Sequence, residues 1–255
     1  MPFPYALPLG VAAFDPAASA LIARMSPSPS YARKVLINQT VTSLKRYGIW
    51  SKLDVLHVYA AHSQNPALLN WISTSYTATN NSATFTADRG FTGDAATAYI
   101  SMSYAAGTGQ FAQNDHCFGA WARTAGGSNT SIMGAGNVLG NSMDIKFGGA
   151  QLVFRDATFA NTNSFTATNT GHIAQSRTAS GTFDTYRAGS LLGSPSRSVT
   201  NPTGNFTVLA MNLDGSPATF TGGQIGAAHL GKGLTATEIA NLATILQTYM
   251  TGVGA

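Results

Sequence analysis

The sequence predicts an all-β protein, an antiparallel β-sandwich, with a helical N-terminal segment and one closing helix. Three observations predict it. Charged residues make up only 9% of the 255 residues, against about 25% in an average soluble domain. Thr, Ser, Asn, Ala and Gly take their place, as in a strand-rich chain kept in solution by hydroxyls and amides. From Val55 onward, short β-rich segments recur with Gly, Asn and Ser clusters between them. The clearest helical signature beyond that point stands at the end of the chain. A hydrophobic fraction of 44% with 10% aromatics can supply a core, which excludes disorder. No run of about 18 apolar residues predicts a bilayer-crossing helix, and the glycines follow no G-X-Y period.

The elements follow in order. Residues 1–14 are Pro-rich and apolar (Phe3, Tyr5, Leu7, Leu9, Phe14). Proline removes backbone donors, so an extended arm is expected, lying on its own domain or on a partner chain. Asp15-Pro16 reads as a helix start, with Asp as cap and Pro at the first helical position. That helix runs over about 16–25 and ends at the Ser-Pro repeat. A second helix starts near Ser30, with Ile37, Val41 and Leu44 at helical spacing and Gly48 as its stop. Strands are expected at 55–59, 83–86, 98–102, 117–123, 131–134, 143–147, 152–155, 164–167, 171–177, 182–187, 206–211 and 224–230. Thr235-Ala236-Thr237-Glu238 has the capping-box form, with Leu234 and Ile239 placed for the hydrophobic staple. Leu242, Leu246 and Tyr249 continue the apolar face. The expected organisation is an anchoring segment over 1–54 and a sandwich over 55–255 closed by a helix over 235–250.

Charge is uneven. Residues 1–60 hold six basic residues (Arg24, Arg33, Lys34, Lys45, Arg46, Lys52) and two acids (Asp15, Asp54), so the whole net charge of +4 lies there. The density is too low, and aromatics too few, for a nucleic-acid surface. Solvated helix charges explain it, or docking on an acidic protein through Arg33 and Lys34 together with the apolar arm. Met1-Pro2-Phe3-Pro4 lacks a basic start and an unbroken apolar run, so no secretory signal is expected.

Several stretches together resemble a family of bacteriophage virion proteins with a concanavalin A-like, laminin-G-like jelly-roll domain. They are Tyr47-Gly48-Ile49-Trp50-Ser51-Lys52-Leu53-Asp54, the stretch Ala83 to Asp94, and Gln113-Asn114-Asp115-His116-Cys117-Phe118-Gly119. Tyr186-Arg187-Ala188-Gly189 is similar to a strand-turn hairpin in which Asn is usual where Ala188 stands. Ile225-Gly226-Ala227-Ala228-His229-Leu230-Gly231, running into Leu234-Thr235, completes the series, which spans residues 15–255. The resemblance implies two stacked antiparallel sheets in a concanavalin A-like jelly roll. It implies a non-enzymatic structural role on the virion, as capsid decoration or at the tail, in many copies or as a homo-oligomer. The partners it implies are other capsid or tail proteins.

Reactive chemistry finds little support. Jelly rolls also host glucanases, which need two carboxylates about 5–9.5 Å apart. Glu238 is the single Glu and reads as a cap, and Asp88 and Asp94 sit in a turn-rich stretch that favours backbone capping. No G-x-S-x-G elbow is present. His116 and Cys117 are neighbours on a strand and so face opposite ways. The histidines are scattered, with no H-x-x-x-H, so no metal or other cofactor is expected. His57 and His229 fall within strands and are expected to be structural. What remains is recognition of a host-surface glycan, which asks only for exposed rings and hydrogen-bonding groups. The segment from Tyr104 to His116 offers Tyr104, Phe111, Asn114 and Asp115. Trp71 and Trp121 are alternatives, set against a place in the core. A glycan-degrading enzyme is the remaining class.

Overall fold

Strands that are apolar on both faces need cover on both, and that requirement shapes this molecule. In the strand Leu53–Val58, Val55 belongs to one hydrophobic cluster and Leu53, Leu56 and Val58 to another. The strand His116–Thr124 divides the same way, with Phe118, Ala120 and Ala122 on one side and Cys117 and Trp121 on the other. The computed structural model describes residues 13–137, 142–149, 151–156, 162–197 and 200–254. It shows a helix layer, an inner sheet and an outer sheet, stacked in that order.

Among the described residues the inner sheet has eight strands. Ser190–Gly193, Asp184–Arg187, Gly171–Arg177, His116–Thr124 and Gln224–Gly231 lie side by side. Gln224–Gly231 then pairs along its other edge with Gly90–Thr92 at one end, itself paired with Thr84–Thr86, and with Leu53–Val58 at the other. The outer sheet has nine described strands, in the order Thr162–Thr166, Gln151–Asp156, Ser142–Phe147, Thr130–Gly136, Asn205–Val208, Tyr99–Ala105 and Thr79–Asn81. Its hairpin Met211–Leu213 with Ser216–Ala218 joins at Thr130–Gly136, where the pairing is parallel. The other inter-strand pairings of both sheets are antiparallel, as expected for a jelly-roll sandwich. Aromatic and aliphatic side chains such as Phe91, Phe118, Phe147, Phe154 and Phe206 fill the space between the sheets.

Helix α1 (Pro16–Ala23) is capped by Asp15, whose carboxylate accepts the Ala17 N–H at 2.8 Å. Helix α2 (Tyr31–Arg46) is capped by Ser30 and ends before Gly48, which takes φ +71°. A short helix, α3 (Gln64–Leu68), follows the first strand. Helix α4 (Ala236–Gly252) has the full capping box, with Thr235 and Glu238 bonded in both directions. Ile37, Val41 and Leu44 of α2 and Ile239, Leu242, Leu246 and Tyr249 of α4 share one apolar cluster with the inner sheet.

That cluster makes the two helices of the expected 1–54 segment part of the sandwich's own packing. Helices α1 and α2 are the lid of the inner sheet, and removing them would expose its second apolar face. Arg33 likewise turns inward. Its guanidinium donates to Asp88 at 2.7 Å and to the Tyr249 hydroxyl at 3.3 Å. It therefore ties α2 to the sheet and to α4, and it is not a free docking charge. Lys34 is half-buried on the same helix. Phe14 is half-buried and stacks on Tyr31 with ring centres 6.2 Å apart. Phe3, Tyr5, Leu7 and Leu9 lie outside the described residues.

Candidate functional site

The segment singled out for sugar contacts folds differently from what stacking requires. Tyr104 and Phe111 are both buried. The Tyr104 hydroxyl donates to Asp54 at 2.6 Å, and burial beside that carboxylate pushes the phenol pKa up. Phe111 stacks on His116 at 4.5 Å within the sandwich core. Neither ring presents a face to solvent. Asn114 is exposed, and Asp115 accepts the Gly233 N–H at 3.0 Å with Lys232 at 3.6 Å. The four residues therefore do not form an aromatic platform, because the rings serve as core.

The histidines, scattered in sequence, are brought together by the sheet. Register places His229 opposite Gly119, and Ala174 opposite Gly119 on the other side. His172 and His229 point toward the helix layer, with their Nε2 atoms 3.0 Å apart. The Nδ1 of His229 lies 3.5 Å from the Cys117 sulfur. Gly119 makes the room, since a Cβ there would fall 2.5 Å from the His229 Nε2. Burial lowers both histidines, His172 to about 3 with help from the nearby Arg187 charge. Burial also raises the Cys117 thiol, so the rings are neutral and the thiol protonated near pH 7. His57, also buried, bonds the Tyr76 carbonyl at 2.9 Å as a structural histidine.

His172 forms part of the floor of a pocket of about 430 Å³, within the range usual for small-ligand sites of about 300–1,000 Å³. The pocket opens between the ends of three inner-sheet strands and helix α4. Trp121, 8% exposed, adds a small apolar part of its indole to the wall and packs the rest against the helix layer. Arg123 and Arg187 bring positive charge, and Thr244 and Gln247 face it from exposed positions on α4. The hairpin turn at Ala188 and Gly189 seals one side. Gly189, at φ +81°, passes so close to α4 that a Cβ would fall 2.9 Å from the Ala240 Cα.

Electrostatics in the pocket are one-sided. None of its described lining residues is Asp or Glu. The Arg187 Nε donates to the Thr168 carbonyl at 3.2 Å. The Arg123 Nε and Nη1 are buried without an acceptor, as is the His172 Nδ1. Partial burial lowers both arginine pKa values, and for Arg123 the Arg89 charge adds to it. Buried donors without acceptors are uncommon and costly, and they mark places where water or a ligand completes the bonding.

Of these residues, Trp121 stands among the aromatic alternatives expected from sequence and Arg187 within the hairpin, whereas Arg123, His172, Thr244 and Gln247 are not singled out by any motif. One signal was available for the helix residues. Thr244 and Gln247 sit three apart on the polar side of a helix whose other side is apolar.

No family model matches the sequence, and no curated protein matches it. Solved structures do share the fold. A Trypanosoma rangeli sialidase in complex with 2,3-difluorosialic acid aligns at TM-score 0.57 and 14% identity, over 85% of this chain and 40% of that one. A mutant of the same organism's sialidase with trans-sialidase activity aligns at TM-score 0.56 and 15% identity, over 85% and 39%. Domain 4 of AbnA, an extracellular arabinanase of Geobacillus stearothermophilus in complex with arabinotriose, aligns at TM-score 0.50 and 13% identity, over 75% and 98%. The chain thus spans about 40% of the length of the sialidases it matches. At these identities the likeness shows the fold: an all-β sandwich of the kind those proteins contain.

Proposed function

We propose that the protein is a non-catalytic, saccharide-binding sandwich carried on a bacteriophage particle. One observation carries the binding half: a pocket with part of a tryptophan in its wall and a rim of hydroxyl, amide and guanidinium groups, lined by no described carboxylate. Sugars are held by an aromatic or apolar face together with convergent hydrogen bonds. Glycoside hydrolysis needs a pair of carboxylates instead. The single glutamate, Glu238, is engaged in its capping box and in an ion pair with Lys52 at 2.6 Å. The arabinanase domain with arabinotriose bound is a protein of the same fold that meets a saccharide. The particle setting is the one implied by the resemblance of residues 15–255 to phage virion proteins.

A glycan array probed with the full chain tests the binding half. Thr244 is exposed on α4, so Thr244→Trp can fill the pocket mouth without touching the core. Binding of the wild type and its loss in this variant are expected. Glycan binding that Thr244→Trp leaves intact would move the site elsewhere, and an array blank for the wild type would reject the reading. Gold-labelled antibody on purified particles tests the setting, and unlabelled particles would reject it.

A further inference from the structure

We infer that the pocket takes an acidic saccharide, whose carboxylate is held by the arginines that line it. This inference rests on the saccharide-binding reading and adds the chemical class. Arg123 and Arg187 both line the pocket, and neither has an ion pair among the described residues. Arg33, Lys52 and Lys45 are matched by Asp88, Glu238 and Asp15, and the half-buried Arg24, which has no ion pair among the described residues, spends its guanidinium on the carbonyls of Asn70 and Ser73. Arg123 and Arg187 instead bring two half-buried guanidinium groups without a described counter-charge to one concavity.

The orphaned donors point the same way. The Arg123 Nε and Nη1 have no acceptor. The His172 Nδ1 is also buried without a partner, its Nε2 lying 3.0 Å from that of His229. The arginine wall thus offers donors, and the lining holds no described anionic acceptor. A carboxylate supplies acceptors only, and its planar pair of oxygens matches the guanidinium fork. Trp121 beside it offers a small apolar part of its indole to a sugar ring.

The test uses the full chain on an array of uronic-acid and sialic-acid glycans, each with its methyl ester, alongside neutral, sulfated and phosphorylated glycans. Binding to carboxylate-bearing glycans is expected. Esterification, which removes the charge and keeps the sugar, should abolish it. Arg123→Gln and Arg187→Gln should each weaken binding about tenfold to hundredfold, the usual size for a charge-assisted hydrogen bond. The ester arm needs no variant, so a folding defect cannot obscure it. Binding to neutral glycans, or to acids and esters alike, overturns the inference and leaves the saccharide reading standing. Confinement to sulfated or phosphorylated glycans overturns the carboxylate assignment. An array without signal overturns both.

Discussion

His172 and His229 meet through their Nε2 atoms at 3.0 Å, so one ring must donate there and the other accept, and burial keeps both neutral. Protonating the accepting ring at its Nε2 would set two donors against each other inside the core. Burial lowers both pKa values, and it also lowers His57 and His116 to about 4. In the unfolded chain each titrates near the ordinary value of about 6.5. Below that pH the unfolded state therefore binds more protons than the folded one, and stability falls as pH falls. The loss begins near pH 6.5 and continues to about pH 4, at up to about 1.4 kcal/mol per pH unit for each histidine. Urea unfolding midpoints measured between pH 7 and 4.5 check this. Carboxylates held low in the folded state, such as Asp94, add their own loss only as pH falls below about 5 toward the unfolded carboxylate value, so the slope between pH 7 and about 5 reports the histidines. His172→Gln should reduce the slope. A profile flat over that window would contradict the buried neutral pair.

Arg33 locks the helix layer to the sheet. Its charge meets Asp88 at 2.7 Å and the Tyr249 hydroxyl at 3.3 Å, and its ring contact with Tyr249 adds a cation–π term. Asp88 is partly exposed, so solvent screens the ion pair. Arg33→Met keeps the apolar stem and removes the bonds, and should cost about 1–2 kcal/mol. Chemical denaturation measures it. Unchanged stability, with a changed affinity for some partner, would restore the docking role expected from the sequence.

Much of this fold was legible in the chain before its structure. Caps at Asp15, Ser30 and Thr235 use local chemistry, and local chemistry is visible in sequence. The strand 171–177 was found at its true ends because turn residues flank it. The segment 182–187 divides at Phe183, and 206–211 at Leu209 and Ala210, because tertiary pairing decides such breaks. The site was mostly illegible. Arg123, His172 and Gln247 converge only through sheet register and the path of α4, and no sequence spacing encodes that. Tyr104 and Phe111 misled because an aromatic in a glycine-containing stretch reads alike whether it points into the core or out of it.

Thr235 and Glu238 close the N-terminus of α4 in both directions. The Thr235 hydroxyl accepts the Glu238 N–H, and the Glu238 carboxylate accepts the Thr235 N–H at 2.9 Å. Partial burial alone would raise the Glu238 pKa, but the Lys52 ammonium and the Thr235 bonds outweigh it and hold it low. Thr235→Ala should destabilise the protein by about 1 kcal/mol, the typical cost of a lost cap. Thr235→Ser should cost little. A thermal melt of both variants decides it, and equal losses would show that the methyl group matters and the hydroxyl does not.

The hairpin beside the pocket carries a correctable strain. Ala188 and Gly189 occupy the two central turn positions with φ of +49° and +81°. Two consecutive positive φ values are the mark of a type I′ turn, whose twist suits the flanking strands. Glycine adopts that conformation freely, but alanine pays a steric penalty between its Cβ and the following carbonyl. Asparagine tolerates it better. Ala188→Asn should therefore raise stability by about 0.5–1 kcal/mol. Gly189→Ala should do the opposite, because it adds the same strain and drives a Cβ to 2.9 Å from the Ala240 Cα. That contact is with helix backbone, which cannot swing aside, so α4 must shift and the pocket with it. Urea denaturation of the two variants should move in opposite directions, with the Gly189→Ala protein also losing ligand. Equal stability of Ala188→Asn and wild type would mean that the turn relaxes in solution.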